Sequence, residues 1–522
     1  MNIFQSIASI FTPQKKPTSQ VNNRYGTKSG YLFSGAKFTG SSVYPSAWDL
    51  DNETIRDQSR AAYWDSTQAQ AIISRLADNV VGTGLALELK PMWDLLDGVA
   101  MTDEKKHKFS RMVEQRFDLW ASSTEPDAAG RWSLYQLTAL EYINRMRDGE
   151  SFHILRYTAD GTRMSPLSIQ TILPEQVMSP GFTDTDTIKS GIEIDKSGRE
   201  IAIHVATDEY LTGNVMQRIP VRGTARRFVI HPIVADTLGA VRGTPLLANC
   251  IHELKKITDL TVAEIEAAVI NAVLAVWVKP SADANASRAL SGIQRRGTTE
   301  TTGNAGTESS QTTFDKPGLI VQTLKAGEEL QSFDTKRPNV NATEFIRSIT
   351  KTLAASKGVP IEVLEESFNA NYSASRASLL LFWRKVEIER AKTAVQYLSP
   401  IFESWFAEEV SAGRIQVPGY ADSPVVRKAW TNHAWNGDKQ PSIDPQKEAT
   451  ADDIRIAQGT TTRERVAMEY NGSDAMENIN RLTQENTALA AAIAPLQPVA
   501  VATIEQPDNQ DQSQDDNQDE DA

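Results

Sequence analysis

The stretch 338–410 decides the reading: PNVNATEFIRSITKTLAASKGVP at 338–360, IEVLEESFNANYSASR at 361–376 and ASLLLFWRKVEIERAKTAVQYLSPIFESWFAEEV at 377–410. Phe345, Ile349 and Leu353 recur at helical spacing before Gly358, and Ile388, Ala391, Val395, Leu398, Phe402 and Trp405 do so after it. Two helices flanking a short break are therefore expected. Gly358 permits a left-handed cap, and Pro360 cannot continue the helix it follows. Asn and Ser side chains between Asn371 and Ser375 suit the start of the second helix. That helix would run about 40 Å to Ser399, where Pro400 predicts a kink or an end. Such a helix needs a large partner surface.

Length sets the frame around this stretch. A chain of 522 residues exceeds one compact core, so several domains are expected. The net charge is −13, yet the run from Glu505 to Asp521 holds eight acidic groups and no basic one, leaving about −5 for the rest. A body so near neutrality lacks the basic profile of a protein that grips phosphates. One cysteine, Cys250, excludes an intramolecular disulfide and fits a reducing cytoplasm. The first residues lack the marks of a secretion signal, and Glu264 and Glu266 interrupt the most apolar run, so no membrane span is expected.

Upstream, residues 1–45 are Ser-, Gly- and Lys-rich and predict a flexible leader. Ile55, Ala62, Ala69, Ile72, Leu76 and Val80 trace the stripe of one helix ending at Gly82 and Gly84. Further helices are expected over Asp103–Trp120 and Ser133–Arg147. From Glu150 to Val229 the period turns to alternation, with turns at Asp160-Gly161 and around Gly198, so an α+β domain spans 46–244. Pro245 suits a first helical position for a helix reaching Val278. A Ser/Thr/Gly loop to Thr313 and a strand pair turning at Lys325–Gly327 follow. After Val410 come short elements with aromatic anchors, then two or three helices broken at Gly459 and Gly472. The acidic end is expected to be disordered.

Chemistry is hard to find. Tyr25-Gly26-Thr27-Lys28-Ser29 lacks the Gly before Lys that a phosphate loop needs. His252-Glu253 has Lys at 256 where a zinc-peptidase helix has its second His, and the six histidines show no ligand spacing. Glu362, Glu365 and Glu366 near the break admit a metal-dependent nuclease by count alone. Arg376, Arg384, Lys385, Arg390 and Lys392 admit a DNA-facing stripe, although Glu387 and Glu389 interleave with them. No cofactor is expected.

Ordered landmarks do point to a family. Pro317-Gly318, the turn Leu324 to Glu328, Phe345, the break Gly358 to Leu364, and Asn371 to Arg376 with Ala374 in place of a Ser form a series. With DGESF, SGIEIDKSGREIAIHV, RGTP and IDPQKEATADDIRIAQGTTTRE, it resembles the lambda-type portal proteins of tailed bacteriophages over roughly residues 50–490. The resemblance implies a multidomain α+β portal fold of wing, helical stem, clip, tunnel loop and helical crown, assembling into a ring. The parts would be a leader (1–45), wing (46–244), stem helix (245–278), clip (279–337), second stem helix (338–356), tunnel loop (357–371), long wing helix (372–411), remaining wing and crown (412–500) and acidic tail (501–522).

It further implies a homo-oligomer, usually a dodecamer, at one capsid vertex of the virion, assembled in the host cytoplasm. Double-stranded DNA would pass through the channel during packaging and ejection. Partners would be the terminase large subunit, major capsid and scaffold proteins, and head–tail connector proteins. The chain itself would be no enzyme. In the tunnel loop Glu362, Glu365, Glu366, Asn369 and Asn371 would face the lumen, while Ile361, Val363, Leu364 and Phe368 pack. Tyr372, Ser373, Ser375 and Arg376 form the helix-start motif, and Arg384 and Lys385 are candidates for DNA or intersubunit contacts. A non-translocating head–tail connector is the structural alternative, and a phage nuclease the enzymatic one.

Overall fold

A computed structural model describes residues 52–96, 101–158, 161–207, 215–224, 226–235, 238–273, 277–279, 329–331, 342–368, 372–438, 445–471 and 475–493. The leader, the acidic tail, the turn Lys325–Gly327 and most of the clip range lie outside them. The chain divides into two compact units, Met1–Asp438 and Lys439–Ala522.

The first unit opens with two helices where the sequence predicts one, α1 (Asn52–Asp65) and α2 (Thr67–Val80). Ser66 separates them: its backbone is extended, at φ −115° and ψ 117°, and its hydroxyl accepts from the Ala69 N–H. Strand β1 (Ala86–Leu89) precedes α3 (Asp103–Ser122) and α4 (Leu134–Asp148). Ser133 and Gln136 close a reciprocal capping box on α4, and Gly149 ends it at φ 89°.

Two antiparallel sheets follow. Strands β2 (Phe152–Tyr157), β3 (Leu167–Ile172) and β8 (Val229–Ile230) form one, in the order β3-β2-β8. The other runs in chain order through β4 (Ile188–Lys189), β5 (Ile192–Ile194), β6 (Glu200–Ala206) and β7 (Met216–Pro220). The hairpin at Gly198 forms as expected: Asp195 accepts from the Ser197 and Arg199 amides, and Gly198 adopts φ 81°.

Helix α5 spans Ile251–Val273, shorter at both ends than the sequence reading. At its start the chain first makes tight turns. The Ala248 N–H donates to Pro245 and the Cys250 N–H to Leu247, three-residue turn bonds, and the four-residue ladder begins only where the Leu254 N–H reaches Cys250. At its end Trp277–Lys279 is a strand, β9, paired antiparallel with β10 (Glu329–Gln331).

Helix α6 (Ala342–Ser356), the single turn α7 (Ile361–Leu364) and α8 (Tyr372–Thr393) follow. Pro400 does not end the helix. A π segment at Ala394–Leu398, in which the Ser399 N–H donates to Ala394, widens the ladder ahead of Pro400 and removes the clash its ring would make. The rod continues as α9 (Ser399–Ser411), so α8 to α9 runs roughly 60 Å. Its buried face also departs from the expected stripe: Ile388, Ala391 and Val395 are exposed, while Phe382, Val386, Thr393 and Tyr397 are buried. The rod ends among aromatics. Phe117 meets Phe402 and Trp405 edge to face at 5.5 and 5.1 Å, alongside Phe109, Trp120, Phe406 and Trp430. Each such side chain contributes about 1.5–3 kcal/mol by burial. Helix α10 (Pro424–Trp430) and β11 (His433–Asn436), antiparallel to β1, close the unit.

The second unit holds α11 (Pro445–Ala457), α12 (Arg463–Asn471) and α13 (Ala475–Ile493). Gly459 makes the expected break at φ 70°; Gly472 lies outside the described residues. Among the described residues no helix is long and apolar enough to cross a membrane.

Candidate functional site: the helix break and its ionic anchors

The break is built by a Schellman cap. Gly358 stands at φ 75°, its N–H donates to Ala355, and the Val359 N–H reaches back to Ala354. Val359 is fully buried, Ile361 nearly so, and Val363 and Leu364 pack against the same core as Leu353 and Phe382. The first half of the loop is thus anchored. Phe368 departs from expectation, since half of its surface is exposed. Asn369 and Asn371 lie outside the described residues.

The three glutamates do not present a bare acidic rim. Glu365 accepts a two-pronged pair from Arg347 of α6 at 2.9–3.1 Å, and Glu366, at φ 51°, pairs with Arg75 of α2. Glu362 is half-buried and makes no ion pair among the described residues. Arginines on two helices therefore balance the charges that the sequence alone leaves free.

Several basic residues of α8 are also committed within the chain. Lys385 lays its stem 3.2 Å from where a Gly358 Cβ would stand and donates to Glu389 at 2.8 Å. Lys392 meets the same carboxylate at 2.9 Å. Arg390 caps the carbonyl end of α2, donating to Asn79 and Val80 at 2.8 and 2.9 Å while lying over Trp383. Arg376 and Arg384 are exposed. Tyr372 and Ser373 begin the helix, and Ser375 is a buried residue inside it rather than its cap.

A buried ionic node joins two distant segments of the chain. Its parts, Asp148-Gly149-Glu150-Ser151 and Arg242-Gly243-Thr244-Pro245, are far apart in sequence. Glu150 is fully buried and accepts from the Arg242 Nε and Nη2 at 2.6–2.9 Å, from the Gly243 N–H at 3.0 Å and from His231 at 3.2 Å. Arg242 spends its remaining donors on the carbonyls of Pro174, Val177 and Ser190 at 2.6–3.0 Å. Phe152 is clasped between them, stacked on His231 at 4.1 Å with the Arg242 guanidinium 5.3 Å from its ring. Gly243 approaches so closely that a Cβ there would lie 1.9 Å from the Gly149 carbonyl oxygen.

The family profile described as phage portal protein, lambda family, matches residues 38–390, well over half the chain and spanning both the node and the break. The chain belongs to the lambda family of phage portal proteins. This is a structural class rather than an enzymatic one. The portal protein of Escherichia phage N15 is 23% identical over 438 residues, covering 80% of each chain. Portal protein B of Escherichia phage lambda is 24% identical over 433 residues with the same coverage. Among solved structures, a chain of the virion of a native gene transfer agent particle aligns with TM-score 0.39 and 10% identity, over 81% of this chain and 94% of that one. An HK97-family phage portal protein from Corynebacterium diphtheriae aligns at 0.30 and 12%, over 62% and 85%.

In this portal protein the node was invisible to residue spacing. DGESF and RGTP mark the family separately, and nothing in one dimension says that they touch. Their meeting has a measurable consequence. Burial pulls the His231 imidazole down, but the Glu200 and Glu150 carboxylates outweigh it and leave the pKa at about 9. Glu150 is held well below the usual carboxylate range, because Arg242 and His231 overcome its burial. A raised His pKa stabilises the fold fully below the ordinary 6.5 and loses that contribution as pH rises through about 9. The Glu150 contribution is present above the ordinary 4.5 and fades as pH falls. The melting temperature should therefore hold between pH 4.5 and 6.5 and fall towards pH 9. His231→Gln should flatten that alkaline slope; a variant with the wild-type slope would remove His231 as its source.

Proposed function

We propose that copies of this chain close into a ring at one capsid vertex and form the channel through which double-stranded DNA is packaged and later ejected. The terminase large subunit and then head–tail connector proteins dock on this ring, within the major capsid and scaffold proteins. The observation that carries the reading is a set of long helices with apolar residues left bare. Val262 and Ile265 on α5, Phe345 on α6, Leu380, Leu381 and Ile388 on α8, and Val395 in the π segment that follows it are 48–72% exposed in the single chain. An apolar set this large on helices is a surface for neighbours, and a closed ring covers it in every copy.

The loop from Lys357 to Asn371 is the part we place at the constriction. Arg347 and Arg75 offset Glu365 and Glu366, so the wall there is close to neutral and neither clamps nor strongly repels a passing polyanion. Replacing Leu381 and Ile388 by Glu should yield folded monomers in place of rings, because each buried side chain of this size contributes about 1.5–3 kcal/mol to a contact. Sedimentation with circular dichroism reads both properties. Rings of normal size from the double variant would move the interface off this face of α8.

A further inference from the structure

The three helices of the second unit leave an apolar groove of about 330 Å³ open between them. Ile456 of α11, Val466 and Ala467 of α12, and Ala475 and Ile479 of α13 line it. From the groove the apolar stripe of α13 runs on through Leu482 to Leu489. Ile479 is 42% exposed, Leu482 54% and Leu489 57%, so the described residues leave this track largely bare. The chain that follows α13 matches it. Residues 494–504 read APLQPVAVATI, without one charged side chain, and the acidic run opens directly afterwards at Glu505. Pro495 cannot continue a helix that ends at Ile493, and Pro495 and Pro498 together favour an extended polyproline form. At three residues per turn of that form, Pro495, Pro498, Val501 and Ile504 share one edge, with Leu496 and Val499 on the next.

We propose that residues 495–504 fold back along α13 of the same chain and seat Val501 and Ile504 in the groove. The lengths agree. From Ile493 back to Ala475 the helix measures about 27 Å, and ten residues in the polyproline form span about 31 Å. A run that reverses at Ala494 therefore brings its last apolar residues level with Ile479 and Ala475, and its charges begin where the track ends. Asn486 lies in the stripe between Leu482 and Leu489, where its amide offers a donor and an acceptor to the backbone of an extended chain. Arg463, which also lines the groove, is opposite in sign to the acidic run that arrives behind the apolar one. A segment tethered by so short a turn is present at an effective concentration on the order of millimolar, which favours it over any separate occupant. The two prolines reduce the freedom lost on docking. Docking gives the acidic tail a fixed exit: it leaves the unit beside the start of α13 instead of trailing from the far end. The inference does not depend on the ring.

The test is disulfide trapping in the full-length protein, where buried Cys250 sets the background. One variant pairs Val501→Cys with Ile479→Cys in the groove; the other pairs Val501→Cys with Gln484→Cys on the far side of the same helix. Both helix positions are exposed, so neither change opens a core. After mild oxidation the first variant should form a link within one chain, running as a monomer on a denaturing non-reducing gel, in about tenfold excess over the second. Equal yields would overturn the docking, and a link that joins two chains would give the groove to another copy. Hydrogen exchange supplies a measurement free of new cysteines. Val501→Asp with Ile504→Asp should speed exchange of the α13 amides by about tenfold while circular dichroism stays unchanged. Exchange equal to that of the wild type would show that the run does not lie on the helix.

Discussion

Deleting Ser367 to Ala370 is expected to leave rings intact and to abolish retention of packaged DNA. The deletion is confined to these four residues because Ile361, Val363 and Leu364 belong to the core under α6 and α8, and Glu365 and Glu366 tie the loop to Arg347 and Arg75. What remains is the end of the loop with exposed Phe368, which in the proposed ring projects towards the channel. Removing it widens the constriction without opening the core. Capsid-filling assays with nuclease challenge measure the retained DNA. Full heads from deletion rings would take the constriction away from this loop.

The second large effect concerns folding rather than transport. Arg242→Met should destabilise the first unit by about 3–5 kcal/mol, since it strands the fully buried Glu150 carboxylate without its main partner. The double variant Glu150→Gln, Arg242→Met should recover a large part of that loss, because no charge is then left alone. Thermal melts of the three proteins at pH 6 measure the coupling. Additive losses would show that the two residues act independently.

The contrast between these two places shows what a single sequence can reveal. Element types were legible where local rules govern them. Ser133 and Gln136 announce a helix start, Asp195 and Gly198 a hairpin, and Gly358 a cap. Boundaries failed where tertiary contacts take the backbone groups. Pro245 looks like a helix start, but the chain after it makes tight turns, Ala248 to Pro245 and Cys250 to Leu247, before the helix begins. Pro400 looks like a helix stop, but a π turn absorbs it.

Along the long helix Leu398, Phe402 and Trp405 are buried as expected, whereas Ile388, Ala391 and Val395 are not, for a different reason. The helix is apolar on two faces, Phe382 and Val386 inward and Leu381, Ile388 and Val395 outward, and periodicity cannot say which face meets its own chain. The acidic residues of the break were found, but not the arginines that answer them, because Arg75 lies almost three hundred residues upstream of Glu366. Arg390 was read as part of a charged face, whereas it closes the end of α2.

The central claim is that the bare apolar faces of α5, α6 and α8 are covered by further copies of the chain. A native mass spectrum of the purified full-length protein at micromolar concentration tests it most directly. The account predicts one closed assembly of defined stoichiometry, many times the 57.5 kDa of a single chain. A monodisperse monomer across a range of salt concentrations would contradict it.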